Sequence, residues 1–142
     1  MRLALQTDYA LRTLMYLAAV KSRATVGQVA DFYGISQAHV AKVVNQLARF
    51  GFVRSIRGVG GGIELIGSPT DVRVGAVVTA FEGNLHLLDC VGAEGVCVIE
   101  QFCRLKKVLS EAERLQIDYL NGVTLADVVP TKRQIVGVEQ GT

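Results

Sequence analysis

Residues 25–49 read TVGQVADFYGISQAHVAKVVNQLAR. Thr25 and Gln28 have the spacing of a capping box, which starts a helix by satisfying N–H groups that the first turn leaves without partners. Val29, Ala30 and Phe32 give this helix its apolar content, and Gly34 stops it by taking the positive φ of a C-cap. Ile35 fills the turn, and Ser36 caps a second helix expected over about 37–50, ended by Gly51. In that helix Val40, Val43, Val44 and Leu47 recur at the spacing of a core-facing stripe. Gln37, Ala38, Ala41, Lys42, Asn45 and Arg49 lie largely away from the stripe, on a polar, basic, short-chained face. Two helices joined by a tight turn in this way form a helix–turn–helix, whose second helix suits the DNA major groove. Ser36, Gln37, Ala38 and His39 stand at the groove-entering end, where first-turn amides meet phosphate. Lys42 and Arg49 reach backbone or bases. The same geometry also serves as a plain scaffold, and His39 reads equally as a base reader or as a surface or phosphate-contacting residue.

Immediately downstream, FVRSIR (52–57) and IELI (63–66) flank the glycine-rich tip GVGGG (58–62), which predicts a two-stranded hairpin. Arg54 and Arg57 beside a flexible tip containing Gly60 make this a wing. It lays arginine along a minor groove and offers backbone N–H groups to phosphates. A nucleotide-binding loop is the competing reading of the glycines. They lack the Gly-Lys-Ser/Thr ending, and a strand rather than a helix follows.

Upstream, a helix is expected from about Thr7, as cap, to Val20, with Asp8 in its first turn and Ala10, Leu11, Leu14, Met15, Leu17 and Ala18 as its stripe. After the hairpin, Ser68-Pro69-Thr70-Asp71 offers the start of a fourth helix with Val74, Val77, Val78 and Phe81 inward and Gly83 at its end. Residues 84–103 have no sustained period and predict a loop. A long helix follows over 104–120, carrying Leu105, Val108, Leu109, Ala112 and Leu115 on one side and continuing through Tyr119. That face is long for so small a chain and suits pairing with its copy across a two-fold axis, the other reading being that it folds back on its own domain. Residues 124–129 predict a short turn of helix stopped by Pro130. The expected architecture is mainly α with a small β-hairpin: a winged helix–turn–helix domain over 1–83, a cysteine-bearing loop over 84–103, a dimerisation helix and short terminal helix over 104–129, and a flexible tail over 130–142.

Cys90, Cys97 and Cys103 form a C-x6-C-x5-C pattern inside the loop. Three clustered cysteines do not make a disulfide framework, and their soft thiolates suit zinc or an iron–sulfur cluster. A four-coordinate site is then one ligand short, to be filled by a carboxylate, a histidine or a partner's residue. Zinc lacks its usual close cysteine pair here. Unliganded core or resolving cysteines are a further alternative, and nearby His86 reads more simply as a solvent-exposed loop histidine. No Ser-His-Asp or Cys-His arrangement is legible and there are only two histidines, so the expectation is a protein that is not an enzyme.

The 142 residues are 50% hydrophobic and 20% charged, enough for one domain with a real core. The net charge of +2 hides an asymmetry. Residues 1–68 carry eight Lys/Arg against three Asp/Glu, while residues 69–142 carry seven against ten. A basic front and an acidic back point the front at a polyanion. No secretory signal is legible, and no stretch nears the roughly 18 apolar residues of a membrane span, so no membrane partner and a cytoplasmic location are expected.

In combination these features closely resemble the iron–sulfur, winged helix–turn–helix transcriptional regulators of the IscR/NsrR type. The matching stretches are residues 6–12 (QTDYALR), 33–36 (YGIS) and 53–62 (VRSIRGVGGG), then the three cysteines and residues 119–128 (YLNGVTLADV), so that the likeness covers nearly all of 1–129. The resemblance implies a homodimeric repressor that binds a roughly palindromic double-stranded DNA operator and carries one iron–sulfur cluster per subunit. Of the two nuclearities that the same side chains hold, it places [4Fe-4S] ahead of [2Fe-2S]. The IscR branch has a histidine ligand three residues after its last cysteine, where this chain has Lys106. Cys103-Arg104-Leu105-Lys106 resembles instead the nitric-oxide-sensing NsrR branch. That branch implies Cys90, Cys97 and Cys103 as ligands, with Asp8 of the partner subunit completing the set. It also implies nitric oxide as effector. Arg12, one turn from Asp8, is expected to pair with it when the cluster is absent. A regulator of the same family sensing iron–sulfur status or redox state, and a zinc- or thiol-stabilised interaction module, are the alternative functions.

Overall fold

A computed structural model describes residues 2–140. Seven helices are present among them: α1 Leu5–Val20, α2 Val26–Tyr33, α3 Gln37–Arg49, α4 Val74–Glu82, α5 Arg104–Asn121, α6 Leu125–Val128 and α7 Lys132–Gln140. Two strands, β1 Val53–Ile56 and β2 Gly62–Leu65, pair antiparallel with Val53 opposite Leu65 and Arg54 opposite Glu64. The fold is thus mainly helical with a single hairpin, as expected.

The helix–turn–helix forms for the local reasons its sequence carries. Thr25 accepts from the Gln28 amide, and the Gln28 side chain accepts from the Thr25 amide, closing the capping box of α2. Gly34 ends α2 at φ +66°, where a Cβ would be strained. Ser36 then caps α3 by accepting from His39 N at 3.2 Å. Val40, Val43, Val44 and Leu47 are all buried.

α1 is more enclosed than its stripe predicts. Besides Ala10, Leu14, Leu17 and Ala18, it buries Thr7, Thr13, Tyr16 and Ala19, because α3, α4, α6, α7 and β2 all pack around it. The two buried threonines keep partners, Thr13 Oγ1 donating to Tyr9 O at 2.8 Å and Thr7 Oγ1 to Glu82 at 2.7 Å.

Four expectations need correction. Thr7 does not cap α1. The helix begins two residues earlier, and Glu82, reaching over from the end of α4, accepts from Ala4 N at 2.6 Å as well as from Thr7. A carboxylate there suits the positive end of the helix dipole, while the first-turn amides of α1 have no side-chain cap. Secondly, the Ser68–Asp71 capping box closes a single 3-10 turn over Pro69–Asp71. Val72 then returns to extended backbone, and α4 starts only at Val74. Thirdly, residues 130–142 are not a tail in their described part. Thr131 and Gln134 form a capping box, α7 follows, and Ile135 is buried where α7 packs on α1. Gly141 and Thr142 lie outside the described residues. Fourthly, Leu109 turns half inward while Leu105, Val108, Leu115 and Tyr119 stay exposed on α5, so the long helix splits its apolar residues between two faces.

Candidate functional site: the nucleic-acid interface and the cysteine loop

The polar face of α3 is outward. Ser36, Gln37, Ala38, His39, Lys42 and Arg49 are all exposed, and the Ser36 cap leaves the other first-turn amides without partners inside the helix. The His39 ring lies 6.2 Å from that of Tyr9, so this exposed histidine leans on α1. The hairpin stands beside α3 and is fixed from behind. Ala24 and Ile63 exchange both backbone hydrogen bonds, at 3.1 and 2.8 Å, which adds a bridge from the α1–α2 connection to β2. Gly62 permits that approach, since a Cβ would stand 2.7 Å from Ala24 O. At the exposed tip Gly60 takes φ +74°. Arg54 donates from Nε to Glu64 at 2.8 Å, whereas Arg57 is exposed and has no ion pair among the described residues. The recognition helix and the wing therefore present Ser36, Gln37, Ala38, His39, Lys42, Arg49, Arg54, Arg57 and Gly60 from two adjoining elements. Their shared chemistry is hydrogen-bond donation and positive charge, which suits a polyanionic backbone.

The cysteine loop joins α4 to α5 through two 3-10 turns, Asp89–Val91 and Glu100–Phe102. Cys90 and Cys103 are half-buried, Cys97 is exposed, and all three are free thiols. That donor set fits a soft metal centre. In this single chain the thiols are not brought together, for among the described residues no three His, Cys, Asp or Glu side chains are close enough to hold a metal ion.

Two clamps shape the loop, and neither was legible in the sequence. Lys106 donates to Ala93 O at 3.0 Å and to Glu100 Oε1 at 2.5 Å, while Glu100 Oε2 accepts from Gly95 N at 2.5 Å. Lys106 thus occupies the centre of the loop as a tether. The second clamp is Glu113 on α5, which accepts from Leu87 N at 2.6 Å and meets His86 Nδ1 at 3.1 Å. His86 is accordingly an exposed loop histidine, as expected, and it has in addition a partner on α5.

The Lys106 ammonium, and then the Gly95 amide, hold the Glu100 carboxyl below the usual glutamate range. A depressed carboxyl contributes its stability above its unfolded pKa and loses it as pH falls through the folded value. The Lys106 clamp is therefore complete at neutral pH and opens only in acid. In the metal-free protein the NMR shift of the Gly95 amide is expected to titrate with a midpoint below that of an exposed glutamate. A midpoint at or above the ordinary value would mean that Glu100 does not hold this loop.

Asp8 and Arg12 lie in the first two turns of α1, with Arg12 Nε 2.9 Å from Asp8 Oδ1 and both side chains 41% exposed. Hydrogen bonding to Asp8 raises the arginine pKa further. Arg12 also stands 5.7 Å from the Tyr33 ring centroid, and Tyr33 donates its hydroxyl to Arg12 O at 2.9 Å. Tyr33 is the last residue of α2, so the Asp8–Arg12 pair abuts the helix that braces α3. Only the i,i+4 part of this arrangement was legible beforehand.

The profile of the Rrf2 family, described as an iron-dependent transcriptional regulator, matches residues 3–131. The chain belongs to the Rrf2 family. Among its relatives, the HTH-type transcriptional regulator NsrR of Bacillus subtilis (strain 168) is 40% identical over 139 residues, covering 96% of this chain and 95% of the relative. The NsrR of Shouchella clausii is 40% identical over 132 residues, covering 91% and 89%. The structure of T. potens IscR superposes with a TM-score of 0.71 at 23% identity, covering 89% of this chain and 85% of that one. CymR, the global cysteine regulator of B. subtilis, gives 0.64 at 22%, covering 90% and 95%. Both share the winged-helix Rrf2 fold. This Rrf2 chain is a DNA-binding transcriptional regulator and not an enzyme, and none of its described helices is long and apolar enough to cross a membrane.

Proposed function

We propose that the chain is a cytoplasmic, homodimeric repressor whose operator affinity is set by an iron–sulfur cluster that reacts with nitric oxide. The ligands are Cys90, Cys97 and Cys103 of one subunit and Asp8 of the partner subunit. The observation that carries this reading is the set of three free thiols on one loop, leading directly into a helix whose outer apolar stripe is exposed in the single chain. Lys106, tied to Ala93 and Glu100, is engaged as a tether at the position where the IscR branch has a histidine ligand, which leaves the fourth ligand to come from elsewhere. Asp8 is a half-exposed carboxylate on the first helix, available to a second copy.

The cluster, when bound, supplies iron open to nitric oxide. The chain's residues convert that reactivity into DNA affinity. With the loop of one subunit joined to Asp8 of its partner, the two recognition helices are held at one spacing, that of the operator half-sites. When the join is lost, Asp8 returns to Arg12, and Arg12 restores its contact with the end of α2 through Tyr33. A differential of about 5.5 kcal/mol between two such arrangements moves a population from 1:99 to 99:1, so a partial bias is enough for a switch.

The test is anaerobic isolation followed by iron and sulfide assay, with operator binding measured before and after addition of nitric oxide. The expected result is one cluster per chain and weaker operator binding after exposure. Protein that holds neither iron nor sulfide, even after reconstitution, would overturn the sensing part and leave the DNA-binding part standing.

A further inference from the structure

Arg23 sits in the connection between α1 and α2, outside the recognition helix and outside both strands of the wing. It nevertheless belongs to the wing's surface. Its Nε donates to Glu64 Oε2 at 3.0 Å, and its Nη1 donates to Gly60 O, at the wing tip, at 3.3 Å. The other oxygen of the same carboxylate accepts from Arg54 Nε at 2.8 Å. Arg54 and Glu64 are directly opposed across the hairpin, on the face turned away from buried Val53 and Ile63. One carboxylate therefore holds two guanidiniums side by side on the solvent face of the wing.

We propose that Arg23 is a DNA-backbone contact of the wing, and that Glu64 is the positioning residue that sets Arg23 and Arg54 as a pair for phosphodiester oxygens. The proposal rests on the DNA-binding reading and is independent of the cluster. Its first support is stoichiometric: two cations meet one anion, so the cluster of side chains keeps a net positive charge, which unpaired Arg57 increases. The second is geometric. Each arginine gives Glu64 only its Nε, and both Nη groups of Arg54 and Nη2 of Arg23 have no hydrogen bond among the described residues. Arginine's fork is suited to phosphate through those nitrogens. The third is energetic. The two arginine side chains are 45% and 60% exposed, and ion pairs in such positions contribute little to stability. Fixing two long side chains before binding removes ordering cost at the moment of association, which is where such a network has its effect. Arg23, and then Arg54, hold the Glu64 carboxyl below its ordinary range, so the arrangement persists at neutral pH. The Ala24–Ile63 bridge fixes the backbone next to Arg23 against β2, so the pair moves with the wing.

The experiment is a salt titration of binding by the cluster-free full chain. The probes are a duplex selected from a random pool by the wild-type protein and a scrambled duplex of the same length. Arg23→Gln is expected to weaken binding to both roughly tenfold and to lower the slope of log affinity against log salt by about one per subunit. Arg23→Lys keeps the charge and is expected to keep the slope. Glu64→Gln leaves both cations in place but unpaired with a carboxylate, so binding is expected to weaken several-fold at unchanged slope. An Arg23→Gln protein that melts at a lower temperature but binds with wild-type affinity and slope would show Arg23 to be only a staple, and overturn the proposal. Tighter binding by Glu64→Gln would overturn it too, since the carboxylate would then be repelling phosphate. Both the Glu64→Gln and Arg23→Lys arms stand if Arg23→Gln fails to fold. A wild-type protein that binds no duplex at low salt either with its cluster or without it would instead remove the DNA-binding reading itself.

Discussion

Replacing Cys97 with alanine is expected to abolish the visible thiolate-to-iron absorption of anaerobically prepared protein, with bound iron and sulfide falling to background. Cys97 is the exposed member of the three thiols. An exposed side chain makes little contribution to the core, so the same substitution is expected to change the stability of cluster-free protein by less than about 0.5 kcal/mol. That contrast makes the result informative, because loss of the chromophore then reflects loss of a ligand and not of the fold. Cys90→Ala and Cys103→Ala are expected to give the same spectral loss, with a larger stability cost since both are half-buried. Retention of the absorption in all three variants would remove the cysteines from the ligand set.

The second large effect concerns α5. Val108 is 62% exposed in the single chain, on the stripe it shares with Leu105, Leu115 and Tyr119. In a two-fold pairing of α5 with its copy, Val108→Glu places a carboxylate in the apolar seam of each subunit, facing its counterpart. Burying a charge without a partner costs several kcal/mol per group. The variant is expected to be monomeric at micromolar concentration by light scattering, with an unchanged far-ultraviolet spectrum and operator affinity reduced by at least a hundredfold. A palindromic site needs both recognition helices on one rigid body. A variant that stays dimeric would show that the subunits meet elsewhere.

The exposed apolar residues do not stop at α5. Val98 is 99% exposed and Phe102 72%, so the loop that carries Cys97 and Cys103 has exposed apolar side chains of its own just ahead of the helix. A subunit contact that covers α5 would meet the cysteine loop at its edge. The same packing that joins the helices would then screen the loop from water, which ties cluster retention to dimerisation in the proposed mechanism.

Elements whose start, stripe and stop lie within a few residues of one another were legible before any fold was known. Thr25, Gln28, Gly34 and Ser36 each act on backbone groups at most four residues away, so their types and spacing are enough to write the helix–turn–helix. The hairpin is legible for the same reason, since alternating strands and a glycine tip are local properties. The three cysteines, and the i,i+4 spacing of Asp8 and Arg12, were equally plain.

What lay beyond that reach depends on pairs distant in the chain. Glu82 reaches the start of α1 across 78 residues, Glu113 holds His86 from 27 residues away, and Arg23 finds Glu64 at a separation of 41. None of these pairs has a local signature, because a charged side chain on a helix or strand reads as solvated until another element is packed beside it. The terminal segment failed for a related reason. Its capping box at Thr131 and Gln134 was present, but the short stripe after it becomes a core element only because α1 offers a surface on which to bury Ile135. Short helices owe their stability mainly to such burial rather than to their own propensity. Backbone hydrogen bonding and hydrophobic period are read along the chain, whereas the partners of charged groups and of short helices are set by packing, and only the folded arrangement supplies those.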